Sequence, residues 1–305
     1  MISFERFLQL STEEVAALVK ATGRKVCVFP VNGTRRWFML EHAEKIKADF
    51  FEAYMNVSIQ NHAELCALLF DHGIDVILAP VFGHELMHRG DEYTKRVGID
   101  GLVRTATDKN YHEFFERYDV RVRFYGDYRD VLTGTPYEYA LKSMYEVMEA
   151  TRHHTGPRLY FGVFADKVTE TISRLSVEHY LAEGSVPDRQ TLIRKYYGED
   201  LPPVSMFIGF DKFSTFDMPL LATGDEDLYF SLSPSPYMTE YQLRAILYDH
   251  IYVRRTPEPD YTKLGQEELD WLRDYYRKNK DYAFGVGKLK FNLWIPERGS
   301  EEWTI

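Results

Sequence analysis

The 305-residue chain contains only two cysteines, Cys27 and Cys66. Each lies in an apolar stretch, and so few thiols cannot build a disulfide framework, which points to a reducing, cytoplasmic setting. No apolar run approaches the ~18 residues that a membrane-spanning helix requires, and no basic-then-apolar leader opens the sequence. The chain is expected neither to span a membrane nor to be exported by that route. Basic charge is also scarce: 37 Lys and Arg stand against 47 Asp and Glu, a formal net charge of −10. Nucleic acid is thereby disfavoured as a partner, since phosphate-backbone binding needs a concentrated basic surface. An anionic substrate would need a local cationic pocket. Linkers rich in Pro, Gly or Ser are missing too, as are low-complexity runs and internal repeats. A single domain over residues 1–296 is expected, followed by a loose polar tail over 297–305.

Aromatic residues, by contrast, are plentiful. They make up 15% of the chain, including 22 Tyr and 20 Phe. Such rings suit a pocket for a large hydrocarbon or a carbocation, and they equally suit an aromatic core with a Tyr-rich surface.

Short β-branched runs alternate with longer segments of helical period. Strands are expected at Val26–Phe29, Val76–Ala79, Val120–Tyr125, Leu159–Phe164, Met206–Phe210 and Leu228–Leu232. Helices are expected over roughly Glu41–His72, Pro136–Arg152, Val168–Glu183 and Thr239–Val253. Strand and helix in repeated order predict an α/β fold, a mostly parallel six-stranded sheet flanked by helices. In such sheets ligands bind beyond the carboxyl ends of the strands.

Directly after the first strand comes Phe29-Pro30-Val31-Asn32-Gly33-Thr34-Arg35-Arg36-Trp37-Phe38. A glycine turn leading toward a helix N-terminus, with two guanidinium groups at once, suits a diphosphate. The same arginines would also serve as solvated surface charges. The string His84-Glu85-Leu86-Met87-His88 is a literal HExxH, a pattern that on a helix can bind zinc. It starts right after a strand, Gly90 follows it, and no third ligand stands at a familiar spacing, so surface or pocket-lining histidines are expected instead. His153, His154 and His250 are expected to be structural.

The Asn32–Trp37 segment resembles the Asp-Gly-Asn-Gly-Arg-Trp signature of cis-prenyltransferases, and more closely the Asp-Gly-Thr-Arg-Arg-Trp of the tuberculosinol synthase group. The likeness continues in order through Phe70-Asp71-His72-Gly73-Ile74, Arg89-Gly90-Asp91, Phe124-Tyr125-Gly126-Asp127-Tyr128, Phe161-Gly162-Val163-Phe164, Phe213-Ser214-Thr215-Phe216-Asp217 and Phe284-Gly285-Val286-Gly287. This resemblance implies a diterpene synthase related to the tuberculosinol and kolavelool synthases, on the cis-prenyltransferase fold. In that group a class II diterpene cyclase supplies a bicyclic diterpenyl diphosphate. The second enzyme ionises it with help from Mg²⁺, and water captures the cation to give an alcohol. Transfer to an organic acceptor such as adenosine, or a non-catalytic partner subunit, are the alternatives. The DDxxD and DxDD signatures of ordinary terpene cyclases are lacking, which fits a different scaffold. A homodimer is implied by the same analogy.

The resemblance also assigns roles. Gly33, Thr34, Arg35, Arg36 and Arg89 are expected to hold the diphosphate, with Ser214 matching the serine of an Arg-x-Ser-x-Phe motif. Tyr54 and Tyr93 match active-site tyrosines that face the cation, orient water or take its proton. Three departures bear on mechanism. Asn32 stands where the family has a metal-binding aspartate; an amide is no general base, so its role is positional, orienting water or donating to phosphate. Lys212 replaces a phosphate-binding arginine, keeping the charge without the fork. Met206 replaces another arginine. Asp227, in Asp225-Glu226-Asp227, matches a glutamate that helps bind Mg²⁺ and is expected to supply the metal carboxylate; the cluster would otherwise be a solvated turn.

Overall fold

A computed structural model describes residues 2–46 and 49–296. All six expected strands are present as β1 (Val26–Val28), β2 (Val76–Phe82), β3 (Arg121–Tyr125), β4 (Arg158–Val163), β5 (Met206–Phe210) and β6 (Asp227–Ser231). They form one sheet in the order β3-β4-β2-β1-β5-β6, and every pairing is parallel. β1 lies near the middle, so the segment that follows it emerges where the strand order reverses. That is the usual place for a ligand crevice in such a sheet.

The strands alternate between two cores with period two. Cys27, Phe29, Ile77, Phe161 and Met206 pack on one face, whereas Val26, Val28, Leu78, Tyr160 and Phe207 pack on the other. The helices Phe50–Asp71, Tyr139–Ala150 and Glu240–Tyr248 cover the first face with Leu65, Met144 and Leu243 among others; Arg189–Tyr197 covers the second with Ile193 and Tyr197. Both cysteines are buried and unpaired, and burial pushes their thiols up. Among the described residues no helix is long and apolar enough to cross a membrane.

Two local differences from the sequence pattern have clear causes. The helix expected over Glu41–His72 starts later: a helix at Thr34–Glu41 ends where it was to begin, a 3-10 turn follows at Ala43–Lys45, and the long helix runs over Phe50–Asp71. Asp49 starts the long helix by accepting hydrogen bonds from the Phe51 and Glu52 amides at 2.9 and 3.2 Å, a capping signal inside the range expected to be helical. A C-terminal hairpin, β7 (Gly287–Lys290) and β8 (Leu293–Pro296), was not expected. Its turn places Phe291 and Asn292 at φ 51° and 60°, and phenylalanine is a poor signal for a left-handed turn. The tail expected over 297–305 lies outside the described residues.

Candidate active site

A cleft of about 1490 Å³ opens beyond the carboxyl ends of the strands. Its cationic end is built by the turn after β1. The Asn32 backbone N–H donates to Pro30 O at 2.8 Å and to Ser235 Oγ at 3.1 Å, and the Ser235 backbone N–H donates back to the Asn32 backbone O at 3.0 Å. Gly33 adopts φ 78°, and a Cβ there would come within 2.8 Å of both the Phe210 ring and Pro234. Glycine is therefore needed for both the backbone angle and the space. It also caps the Thr34–Glu41 helix without a side chain, which leaves first-turn amides open toward the cleft.

Arg35, Arg36, Arg89 and Tyr93 all line this end. The guanidinium carbons of Arg35 and Arg89 lie 5.7 and 5.8 Å from the centroid of the same Tyr93 ring, so one phenol is in contact range of two cations. Arg36 lies 5.3 Å from the Phe210 ring and pairs with Asp211 at 3.4 Å. Arg89 reaches Glu85 at 3.5 Å.

Tyr54 stands where the cationic end meets the apolar depth. Its hydroxyl is 2.6 Å from Thr34 Oγ1, and its ring stacks on Phe50 at 5.7 Å. Burial pushes the phenol up to about 12, so at neutral pH it is a hydrogen-bonding hydroxyl and not a base. Deeper lining residues include Met55, Ile59, Leu102, Phe161 and His62. His62 stacks on Phe161 at 5.7 Å and meets the Tyr111 hydroxyl at 3.2 Å, and burial lowers its imidazole to about 4. Sequence reasoning missed His62. Its signal is the spacing Tyr54, Ser58, His62, four residues apart on one helical face.

A second missed feature is an acidic wall formed by Glu85, Asp166 and Asp217 in the same cleft. Asp166 Oδ1 accepts a hydrogen bond from His84 Nδ1 at 2.7 Å. Asp217 sits at φ 54°, with its carbonyl accepting a hydrogen bond from the Tyr125 hydroxyl at 2.8 Å. Burial first, then the neighbouring charges of Asp166 and Glu85, raise its carboxyl to about 6.

The expected site residues do not all converge. Asn32, Gly33, Thr34, Arg35, Arg36, Tyr54, Arg89, Tyr93 and Ser214 line the cleft. Lys212 is exposed on the loop after β5 and is not among the lining residues. Asp227 requires a correction. It begins β6 in register with Met206, at the amino end of the sheet, whereas the cleft lies beyond the carboxyl ends. There its Oδ2 is 2.6 Å from His250 Nδ1 and 2.8 Å from Arg255. That carboxylate is already satisfied by a half-imidazole, half-guanidinium cage, and the expected Mg²⁺ donors do not fit a metal: Asn32 offers an amide and Asp227 is remote. Among the described residues no group of three His, Cys, Asp or Glu side chains is arranged to hold a metal ion. In the HExxH string, the helix is only His84–Met87; His84 is engaged by Asp166 and packs 4.9 Å from Phe164, and His88 is exposed.

Comparison with known proteins agrees with this architecture. No protein-family model matches the chain. It is 39% identical to "Tuberculosinyl adenosine transferase" of Mycobacterium tuberculosis (strain CDC 1551 / Oshkosh) over 299 residues, covering 97% of this chain and 99% of the relative. It is 24% identical to "(+)-kolavelool synthase" of Herpetosiphon aurantiacus over 280 residues, 90% of each protein. Among solved structures, lavandulyl diphosphate synthase from Lavandula x intermedia superposes with a TM-score of 0.61 at 13% identity, covering 78% of this chain and 97% of that one. A probable undecaprenyl diphosphate synthase from Campylobacter jejuni gives 0.53 at 16% identity, covering 77% and 97%. These two likenesses speak to the fold. The full-length match at 39% identity speaks to descent, and the chain belongs to the tuberculosinol synthase-like family of diterpenyl diphosphate enzymes on the cis-prenyltransferase fold.

Proposed function

We propose that the cleft ionises a bicyclic diterpenyl diphosphate and delivers the allylic cation to water, giving a diterpene alcohol. The observation that carries this reading is the convergence of Arg35 and Arg89 on the one Tyr93 ring, in the same cleft as an apolar lining of Met55, Ile59, Leu102 and Phe161. Arg35, Arg36 and Arg89, with the open first-turn amides, neutralise charge as it develops on the leaving diphosphate. Tyr54, Tyr93 and the deeper rings enclose the hydrocarbon, exclude bulk water and face the cation. Thr34 and Asn32 bring a hydroxyl and a carboxamide to the same cleft. Because the donors expected for Mg²⁺ do not fit it, no step is routed through metal, and metal dependence is a separate measurement. A class II diterpene cyclase would supply the substrate, and a homodimer belongs to the same proposal by analogy of fold.

A second reading is transfer to adenosine. It is favoured by the 39% identity to a relative named for that transfer, against 24% for one named as a synthase. One experiment addresses both. The protein is incubated with geranylgeranyl, tuberculosinyl and kolavenyl diphosphates, each with and without adenosine, followed by diphosphate assay and mass spectrometry of the products. Alcohol formed irrespective of adenosine supports water capture, and a nucleoside adduct supports transfer. Absence of diphosphate release from all three substrates removes both readings.

A further inference from the structure

Capture of the cation by water leaves one proton to be removed. Ionisation breaks the allylic C–O bond, and the electron pair leaves with the diphosphate. A water lone pair then makes the new C–O bond, and the resulting oxonium must lose H⁺. Asn32 cannot accept it, and the Tyr54 phenol is held protonated. Among the cleft carboxylates, Asp211 is paired with Arg36, Glu85 with Arg89 and Asp166 with His84. Asp91 and Glu92 are exposed at the rim.

We propose that Asp217 receives this proton and so supplies the base that position 32 lacks, an inference that rests on the water-capture reading. Asp217 lines the cleft from the loop between β5 and β6, and no hydrogen bond or ion pair engages its carboxylate among the described residues. Its left-handed backbone is held by Tyr125 at the end of β3. Like charges face it from two other elements, Asp166 after β4 and Glu85 on the His84–Met87 helix, with Tyr196 and Tyr197 of the Arg189–Tyr197 helix alongside. These surroundings keep the group ionised at pH 7–8 yet more basic than an ordinary carboxylate, the condition under which a general base is effective. The bound proton then passes to solvent or to the departing diphosphate.

The test is the Asp217→Asn variant, because asparagine tolerates the left-handed region and retains the side chain's shape. The ratio of alcohol to alkene product should fall by about tenfold or more, since the cation then loses a ring or chain proton instead of being captured. In the parent the same ratio should decline as pH falls through about 6, and that inflection should vanish in the variant. Asp166→Asn and Glu85→Gln should each move the parent inflection to lower pH, a readout that holds even if Asp217→Asn folds poorly. Unaltered product ratio and unaltered inflection overturn the role of Asp217. A parent that releases no diphosphate overturns the proposed function itself, so the two failures are distinct.

Discussion

The hydroxyls of Thr34 and Tyr54 lie 2.6 Å apart, joining the first residue of the Thr34–Glu41 helix to the buried face of the Phe50–Asp71 helix. One hydrogen bond thereby couples the arginine-bearing turn after β1 to the aromatic wall of the cleft. Tyr54→Phe keeps the ring but removes this bond, at a cost of about 1 kcal/mol in stability. The variant should still ionise substrate and shift products from alcohol toward alkene, whereas Tyr54→Ala should be nearly inactive. Equal product ratios in the parent and both variants would assign Tyr54 to packing alone.

Arg35 and Arg36 should be separable by their partners. Arg35→Ala and Arg36→Ala should each lower kcat by roughly a hundredfold, the scale for losing one preorganised charge-stabilising donor. Arg36→Ala additionally frees Asp211, its partner at 3.4 Å, to repel the diphosphate. Steady-state kinetics should therefore show a larger rise in KM for Arg36→Ala than for Arg35→Ala.

Asp227→Asn should act on stability. The substitution weakens contacts to His250 and Arg255, and about 1–3 kcal/mol should be lost in denaturant titrations. Any dependence of turnover on Mg²⁺ concentration should be the same in this variant as in the parent. A shifted Mg²⁺ midpoint would bring Asp227 back to the reaction.

For the HExxH string, purified protein should contain well under one zinc per chain by elemental analysis. His84→Ala combined with His88→Ala should retain most activity, because the exposed His88 contributes no described contact to the cleft. Stoichiometric zinc together with inactivity of the double variant would reverse this.

Asp217 should make stability depend on pH with a definite sign. Its folded-state value of about 6 exceeds the usual 3.8, so the folded protein binds more protons than the unfolded chain between those values. Stability from this group is complete below about pH 4, declines as pH rises to about 6, and stays lower above that. Asp217→Asn should accordingly raise the melting temperature relative to the parent at pH 7.5, by an amount worth at most roughly 3 kcal/mol, and bring little gain at pH 4. An equal shift at both pH values would show that the carboxyl is not perturbed.

Much of this protein was legible in the chain alone. Six β-branched runs and the helical periods between them determine the sheet and its class, because side-chain alternation and helix period are local properties. Gly33, Arg35 and Arg36 were identifiable because a strand, a glycine turn and clustered guanidiniums adjoin in sequence. Tyr54, Arg89 and Tyr93 were reached through resemblance, and they line the same cleft.

What the sequence could not supply was the arrangement of residues that are distant along it. The match of Asp227 to a metal-binding glutamate concerns sequence position, yet register with Met206 puts it at the amino end of the sheet, beside His250 and Arg255. Conversely, Glu85 comes from the short His84–Met87 helix after β2, Asp166 and Asp217 from the segments after β4 and β5, and they share one wall only because parallel strands deliver their carboxyl ends to the same edge. Local pattern thus determined which elements form and where the glycine–arginine turn lies. Tertiary structure alone decided which carboxylates face the cleft and how strongly they repel, because proximity and burial arise from packing and not from spacing along the chain.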